Sequence, residues 1–467
     1  MMGLFKAAIA VSLLVSTGAY PQTQMSASAD ARSEARAMMK KLVSYQTVAG
    51  RGAVSEMAQY LAQQLKSAGF TDGDIEIVPA AGSAAMIVRY RAAPGSAKKP
   101  VLFLAHMDVV DAKAGEWKSD PWQLTEKDGA LYGRGTVDNK FGVLSLTQAF
   151  LRLKREGFVP DRDLILAFSG DEETGMATTK VLAERLKGAD FAINSDAGGG
   201  YRAPNGAATY GYQAAEKTYA TFEITARNKG GHSSRPRSDN AIYDLSRTLT
   251  RVSEHQFPVR WNDVTIESFR AWLPTMDGKA KAAMAAFLAK PGEARGRALI
   301  NQDPEFGKEL TTTCVATMLR AGIVENALPT QAMATVNCRI FPGETVAGVQ
   351  SALGRLAGGK AEVKLVKSLG ESSISAMPDD ARAALDAVLA VRVPGASVSP
   401  YMEVGATDGL QFRRAGIPTI GIGPIIGSPD SNWNFHGIDE RLPLSEFEGG
   451  LDHYYLFIKA LAGGRRH

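Results

Sequence analysis

Between Ala31 and Ala215 the chain alternates helical faces with short, almost wholly apolar runs, and that alternation leaves few folds open. Helical periodicity covers 32–46, 55–68 and 141–156, the last two halted by Gly69 and Gly157. Apolar, β-rich runs lie at 84–90 (AAMIVRY), 101–110 (VLFLAHMDVV), 164–169 (LILAFS) and 191–195 (FAINS). Strands this apolar belong in a sheet covered on both faces. The expected fold class is therefore α/β, with a mainly parallel central sheet and helices on both sides. In such sheets functional groups gather at the C-terminal ends of the strands.

From about Lys217 the texture changes. TYATFEITARN (218–228) alternates as a half-buried antiparallel strand does. A helix at 239–253, an irregular stretch to about 310, paired strands at 313–321 and 331–341, a helix at 345–357 and a strand at 361–367 follow. This β-α-β-β-α-β order predicts a small α+β domain inserted in the larger one. The Ala- and Lys-rich 278–290 reads as a solvated helix. The α/β texture returns from about 378, with helix 379–392, strand 417–422 and helix 445–462. Cys314 and Cys338, the only cysteines among 467 residues, flank the predicted hairpin. Directly opposed they could bond; the alternative is two small buried thiols.

Residues 1–19 (MMGLFKAAIAVSLLVSTGA) place one Lys before a short apolar run and small residues after it, the pattern of a secretory signal peptide. The mature protein is thus expected to be periplasmic or secreted, with no membrane partner once the signal is removed. A net charge of +4 over this length is too weak to imply nucleic acid.

Five acidic or imidazole positions stand at strand ends beside glycines. His106 and Asp108 lie two apart in HMDVV, so both side chains point the same way and Asp108 can accept the second ring N–H of His106. Asp138 follows Gly133 and Gly135 in LYGRGTVDNK; alone it would read as a helix N-cap. GDEETG (170–175) puts three adjacent carboxylates after a buried strand, where they repel unless a cation or protons offset them. Asp196 in INSDAGGG and His436 in NFHGIDE complete the set. Two histidines, three carboxylates and a spare acid match two zinc ions sharing a bridging carboxylate. No G-x-S-x-G elbow supports a serine hydrolase.

With these motifs the sequence resembles metallopeptidase family 20, the two-zinc group of aminoacylases, carboxypeptidases, dipeptidases and related deacylases. Matching segments are HMDVV, W-x-x-x-P-W (117–122), LYGRGTVDNK, SGDEETG, SDAGG, GGHSSRP (230–236), NALP (326–329), NCRIFPG (337–343), GATD (405–408) and HG (436–437). The look is closest to the carboxypeptidase S and N-acyl-amino-acid hydrolase branch. The resemblance implies a catalytic domain in two parts, 30–215 and 371–467, around a lid or dimerisation domain at 216–370. It implies His106 and Asp196 on one zinc, Glu173 and His436 on the other, and Asp138 on both, with Co2+ or Mn2+ as substitute metals.

Glu172 becomes the general base, and Asp108 joins it among the catalytic residues. His232 becomes the donor to the oxyanion. Asn326 and Arg339 hold the substrate's carboxylate, with Asp408 as outer support. A cis peptide is implied after Asp138. His255, His453 and His467 match no motif. The implied reaction is hydrolysis of a peptide bond beside a free carboxylate, as dipeptidase or carboxypeptidase. The alternatives are an N-acyl-amino-acid amidohydrolase and, more remotely, a protein that binds metal or peptide without catalysis. Relatives include dimers joined through the lid, which leaves open whether His232 acts within one chain or across an interface.

Overall fold

The structure is a computed structural model that describes residues 26–302, 306–371 and 373–463. The signal segment 1–19 lies outside the described residues. Four parallel strands form the middle of a ten-stranded sheet: Leu164–Ser169, Val101–His106, Phe191–Asn194 and Thr419–Gly421, side by side in that order. Ser83–Tyr90 and Ile75–Ala80 extend one side antiparallel. Ala208–Glu216, Gly199–Arg202, Ile426–Gly427 and Ser397–Glu403 build the other.

Every residue of Val101–His106 is buried, and successive side chains serve opposite faces. Val101, Phe103 and Ala105 pack into a core formed with helices Ala29–Ser44, Ala53–Ser67, Lys140–Arg155, Asp379–Arg392 and Leu444–Ala462. Leu102 and Leu104 pack instead with Leu182, Ala183 and Phe412 from helices on the far side. Phe150 is fully buried, its ring 5.7 Å from Tyr90, 6.2 Å from Phe70 and 6.3 Å from Phe103. Truncating it to Ala empties that aromatic cluster and is expected to cost about 3–5 kcal/mol in chemical denaturation. A loss under about 1 kcal/mol would show that the helix–sheet packing is wrongly described.

A second, antiparallel sheet carries the strand order Thr313–Ala321, Gln331–Ile340, Thr218–Arg227, Glu362–Ser368. Ala220, Phe222, Ile224 and Ala226 alternate inward against helices Ala241–Glu254 and Val346–Ala357. Tyr219, Asn337, Arg339 and Lys367 fall on the opposite face by register. Cys314 and Cys338 are directly opposed and bonded, with sulfurs 2.01 Å apart, so the open choice resolves to a disulfide.

The stretch to 310 is not irregular. It holds helices Asp263–Trp272, Gly278–Ala289, Ala294–Asn301 and Gly307–Leu310, with a core of Phe269, Met284, Phe287, Ile300 and Leu310. The helix at 278–289 is therefore only partly solvated: its Met284 and Phe287 are buried. Alanines on every side dilute its apolar stripe, which hides the buried face from a periodicity argument. Two strands, Ala208–Glu216 and Ser397–Glu403, were also not expected from the sequence.

Candidate metal centre

The four parallel strands end together, and the loops leaving three of them carry the acidic and imidazole groups. His106 is the last residue of its strand and pairs in register with Ser169, the residue before GDEETG. Asp196 follows Phe191–Asn194 by two residues. Asp138 arrives from the turn before helix Lys140–Arg155, across a cis Asp138–Asn139 peptide. His436 comes from a loop near the C-terminus.

Asp138 lies between the two histidines. Its Oδ1 is 2.8 Å from His106 Nε2, and its Oδ2 is 3.0 Å from His436 Nε2. Asp196 Oδ1 stands 3.6 Å from His106 Nε2, and Glu173 Oε1 stands 2.9 Å from His436 Nε2. Each imidazole thus faces the shared carboxylate and one carboxylate of its own. Ligand atoms of His106, Asp138 and Glu173 all lie within 4.8 Å of one another.

The tautomer of His106 tests whether this set fits a metal. Its Nδ1 lies 3.0 Å from the carbonyl oxygen of Asp108 and must donate to it, so in the neutral ring the Nε2 lone pair points at Asp138. Two acceptors at 2.8 Å need a shared cation or a proton between them. The donor set is hard oxygen plus imidazole, which suits zinc and its neighbours. This corrects one expectation. The Asp108 carboxylate is 3.6 Å from the His106 ring and accepts instead the backbone N–H groups of Glu172 and Glu173, each at 3.1 Å. Asp108 therefore shapes the acidic loop, and its backbone carbonyl sets the tautomer.

Asp171, the first of the three adjacent carboxylates, has a structural role. Its carboxylate accepts the N–H groups of Ala177 and Thr178 at 2.7 and 2.8 Å, capping the next helix. Glu172 and Glu173 remain for chemistry. Asp408 is buried and accepts from Ser169 Oγ at 2.5 Å and from Thr179 Oγ1, bracing the strand that delivers the acidic loop. Asn139 was missed in the sequence. It donates to Asp196 Oδ1 at 2.9 Å and accepts from Ser195 Oγ at 2.9 Å, orienting that carboxylate. The approach needs Gly142, where a Cβ would fall 2.1 Å from Asn139 Oδ1.

Burial raises the Glu172 carboxyl well above the usual range, with Asp196, Asp408 and Glu173 adding to it and His106 opposing. Burial likewise raises Asp196 to about 6 and Asp408 to about 7. Burial opposes ionisation of Asp138, but hydrogen bonds from His106 and His436 outweigh it and hold the carboxyl below its usual range. Hydrogen bonds to Asp138 and Glu173 raise His436 to about 10. A metal ion must displace the His436 proton at pH 7, since that pKa lies above the pH. Calorimetric zinc titration in buffers of different ionisation enthalpy should then show proton release at pH 7. Affinity should fall further between pH 7 and 5, as Asp196 also takes up a proton near pH 6. Binding with no proton release and no pH dependence would contradict these ligands.

Arg339 stacks over the Tyr219 ring at 4.8 Å and donates from Nε to Asn337 Oδ1 at 3.3 Å. Burial lowers its pKa, while Tyr219, Glu403 and Glu172 oppose that, which puts Arg339 within electrostatic reach of the acidic loop. Lys367 from the same sheet donates to the Thr174 carbonyl at 2.8 Å. His232 is exposed and sits in a two-residue strand paired with Ala327–Leu328, next to Asn326. The Ser234 N–H donates to its Nδ1 at 3.2 Å, so Nε2 carries the ring proton. Among the described residues, neither His232 nor Asn326 makes a hydrogen bond or ion pair with the cluster.

Comparison with known proteins agrees with this geometry. The profile of Peptidase family M20/M25/M40 matches residues 102–460. The N-fatty-acyl-amino acid synthase/hydrolase PM20D1.1 of Danio rerio is 27% identical over 381 residues, covering 77% of this chain and 72% of the relative. The probable carboxypeptidase S-like 2 of Dictyostelium discoideum is 23% identical, covering 77% and 71%. Among solved structures, the di-peptidase Dug1p from Saccharomyces cerevisiae aligns with a TM-score of 0.70 at 17% identity, over 94% of this chain and 97% of that one. A family match spanning more than half of the sequence settles the assignment: the chain belongs to Peptidase family M20/M25/M40.

Proposed function

We propose that the protein is a two-zinc amidohydrolase that cleaves an amide bond next to a free carboxylate. The observation that carries this is Asp138, whose two oxygens each face a different histidine with its own acidic neighbour. His106, Asp138 and Asp196 would hold one ion, and Asp138, Glu173 and His436 the other. Bound there, two divalent ions polarise the scissile carbonyl and make a water acidic enough to attack near neutral pH. Glu172, buried beside them with a raised pKa, takes the proton of that water and delivers it to the leaving amine. Arg339, with no described partner on its terminal nitrogens, receives the substrate carboxylate through its planar fork. His232, with its proton on Nε2, serves as oxyanion donor.

The acyl side is an amino acid in a dipeptidase or carboxypeptidase, or a fatty acid in an N-acyl-amino-acid hydrolase. Similarity to the N-fatty-acyl-amino acid synthase/hydrolase of Danio rerio favours the second. The test is release of free amino acid from dipeptides, longer peptides and N-acyl amino acids, with zinc and with chelator. Chelator-sensitive turnover of either class supports the reading, and the better class names the substrate. No turnover of any, with zinc bound, points to a binding protein.

Two further points belong to this proposal. The signal segment exports the protein. The exposed lid sheet mediates a homodimer in which His232 reaches the partner's metal centre. Mixing His232→Ala with Glu172→Gln chains should then restore activity that neither variant has alone. A mixture as inactive as its parts would place His232 in its own chain's site or outside catalysis.

A further inference from the structure

Glu440 is completely buried, carries a charge partner, and touches none of the atoms that would meet substrate. Its Oε1 accepts the N–H groups of Val137 and Asp138 at 2.8 and 3.2 Å. Its Oε2 accepts the N–H of Gly135 at 3.0 Å and Arg134 Nη1 at 2.7 Å. All four donors come from the turn that presents Asp138. Arg134 then donates from Nη2 to the Gly437 carbonyl at 2.9 Å, beside His436, while its guanidinium lies 5.1 Å from the Trp117 ring. Gly133 N–H closes the link by donating to the Glu440 carbonyl at 3.1 Å. Two segments some 300 residues apart are thereby tied into one unit.

His436 needs such a tie. Its side chain is half exposed, and its backbone sits at φ +60°, a left-handed conformation that only its surroundings can hold. Asn434 and Asp439 in the same loop also have positive φ. Apart from the contacts of His436 with Asp138 and Glu173, the loop is fastened among the described contacts by Arg134 on Gly437, by Lys118 on Asp439 through its N–H at 2.9 Å and its ammonium at 3.7 Å, and by turns of its own. A buried ion pair is weak evidence for stability, because desolvation offsets its attraction. Here its hydrogen bonds instead go to the two loops that carry facing ligands.

We propose that Arg134 and Glu440 are positioning residues: a buried clamp that fixes His436 against Asp138 and so sets the affinity of the second metal site, the one shared by Asp138, Glu173 and His436. This rests on the two-metal reading above. Zinc content and competitive-chelator affinity of the purified full-length protein test it without relying on turnover.

Wild type should bind two ions per chain. Glu440→Gln should keep one at near wild-type affinity and bind the other about 10–100-fold more weakly, as expected when a partner behind a ligand is lost. Its turnover should recover as zinc is raised. Arg134→Lys, which keeps the charge but loses the fork onto Gly437, should weaken the same single site. Arg152→Met breaks a different buried pair, with Asp452 at 2.7 Å, and should lower Tm while leaving both ions in place.

Glu440→Gln or Arg134→Lys protein that folds and holds both ions at wild-type affinity overturns the proposal. If Glu440→Gln does not fold, Arg134→Lys decides; if neither folds, the pair is structural only and the proposal is likewise overturned. Wild-type protein that binds no zinc overturns the metal reading instead.

Discussion

Glu172→Gln protein should fold, hold its metal ions and lose kcat by about 100- to 10,000-fold, the range typical of a removed general base. The side chain keeps its shape and loses only the ability to take a proton. Its neighbours explain why the effect should fall on kcat. Glu172 makes no described hydrogen bond through its carboxylate; only its backbone N–H is fixed, by Asp108. Burial raises its carboxyl well above the usual range, the direction expected of a group that must accept a proton and return it. KM should change little, because the proposed anchor for the substrate carboxylate is Arg339 and not Glu172. Steady-state kinetics with parallel zinc analysis checks this. Unchanged kcat at full zinc loading would remove Glu172 from the chemistry.

Asp138→Asn should have the larger effect on metal content. Each ligand pair in the cluster meets at this carboxylate, so one substitution strikes both sites. His106 and His436 would each face an amide in place of the charge they share. Zinc affinity should drop at both positions by at least about 100-fold, beyond the loss typical of an outer-shell partner. Activity should fall to background at ordinary zinc. By contrast, Asp196→Asn or His436→Ala should impair one site and leave the other measurable. Equal loss from all three variants would mean that the ions bind as an inseparable pair. Retention of both ions in Asp138→Asn would refute the bridge.

The sheet and most of the clustered acidic and imidazole groups were legible because they rest on local patterns. Six-residue apolar runs such as VLFLAH can hardly be anything but strands covered on both faces, and their ends then locate the site. Ser397–Glu403 escaped because Pro400 reads as a strand breaker. It is tolerated there because the strand pairs on one side only, with Ala208–Glu216. The helix at 278–289 was expected, but its buried face escaped because alanines on every side leave little amphipathic contrast; Asp263–Trp272, Ala294–Asn301 and Gly307–Leu310 escaped because each is too short to establish a helical period. Within the site, residue types announced the proposed ligands, but the supporting contacts did not announce themselves. Glu440 meets Arg134 across 306 positions, and Asn139 meets Asp196 across 57. Nothing in either neighbourhood marks such a pair before the chain is folded. Asp108 shows the finer limit: spacing placed it beside His106, but only coordinates show its carboxylate turned to the Glu172 and Glu173 N–H groups.

Two ions held around one shared carboxylate are the centre of the proposed mechanism. The direct test strips the protein with chelator and returns zinc in measured steps, following bound zinc and release of amino acid together. Turnover should be negligible in the stripped protein, and activity should rise with occupancy and level off at two zinc ions per chain. Full turnover by the stripped protein, or a wild-type chain that takes up no zinc, would contradict this mechanism.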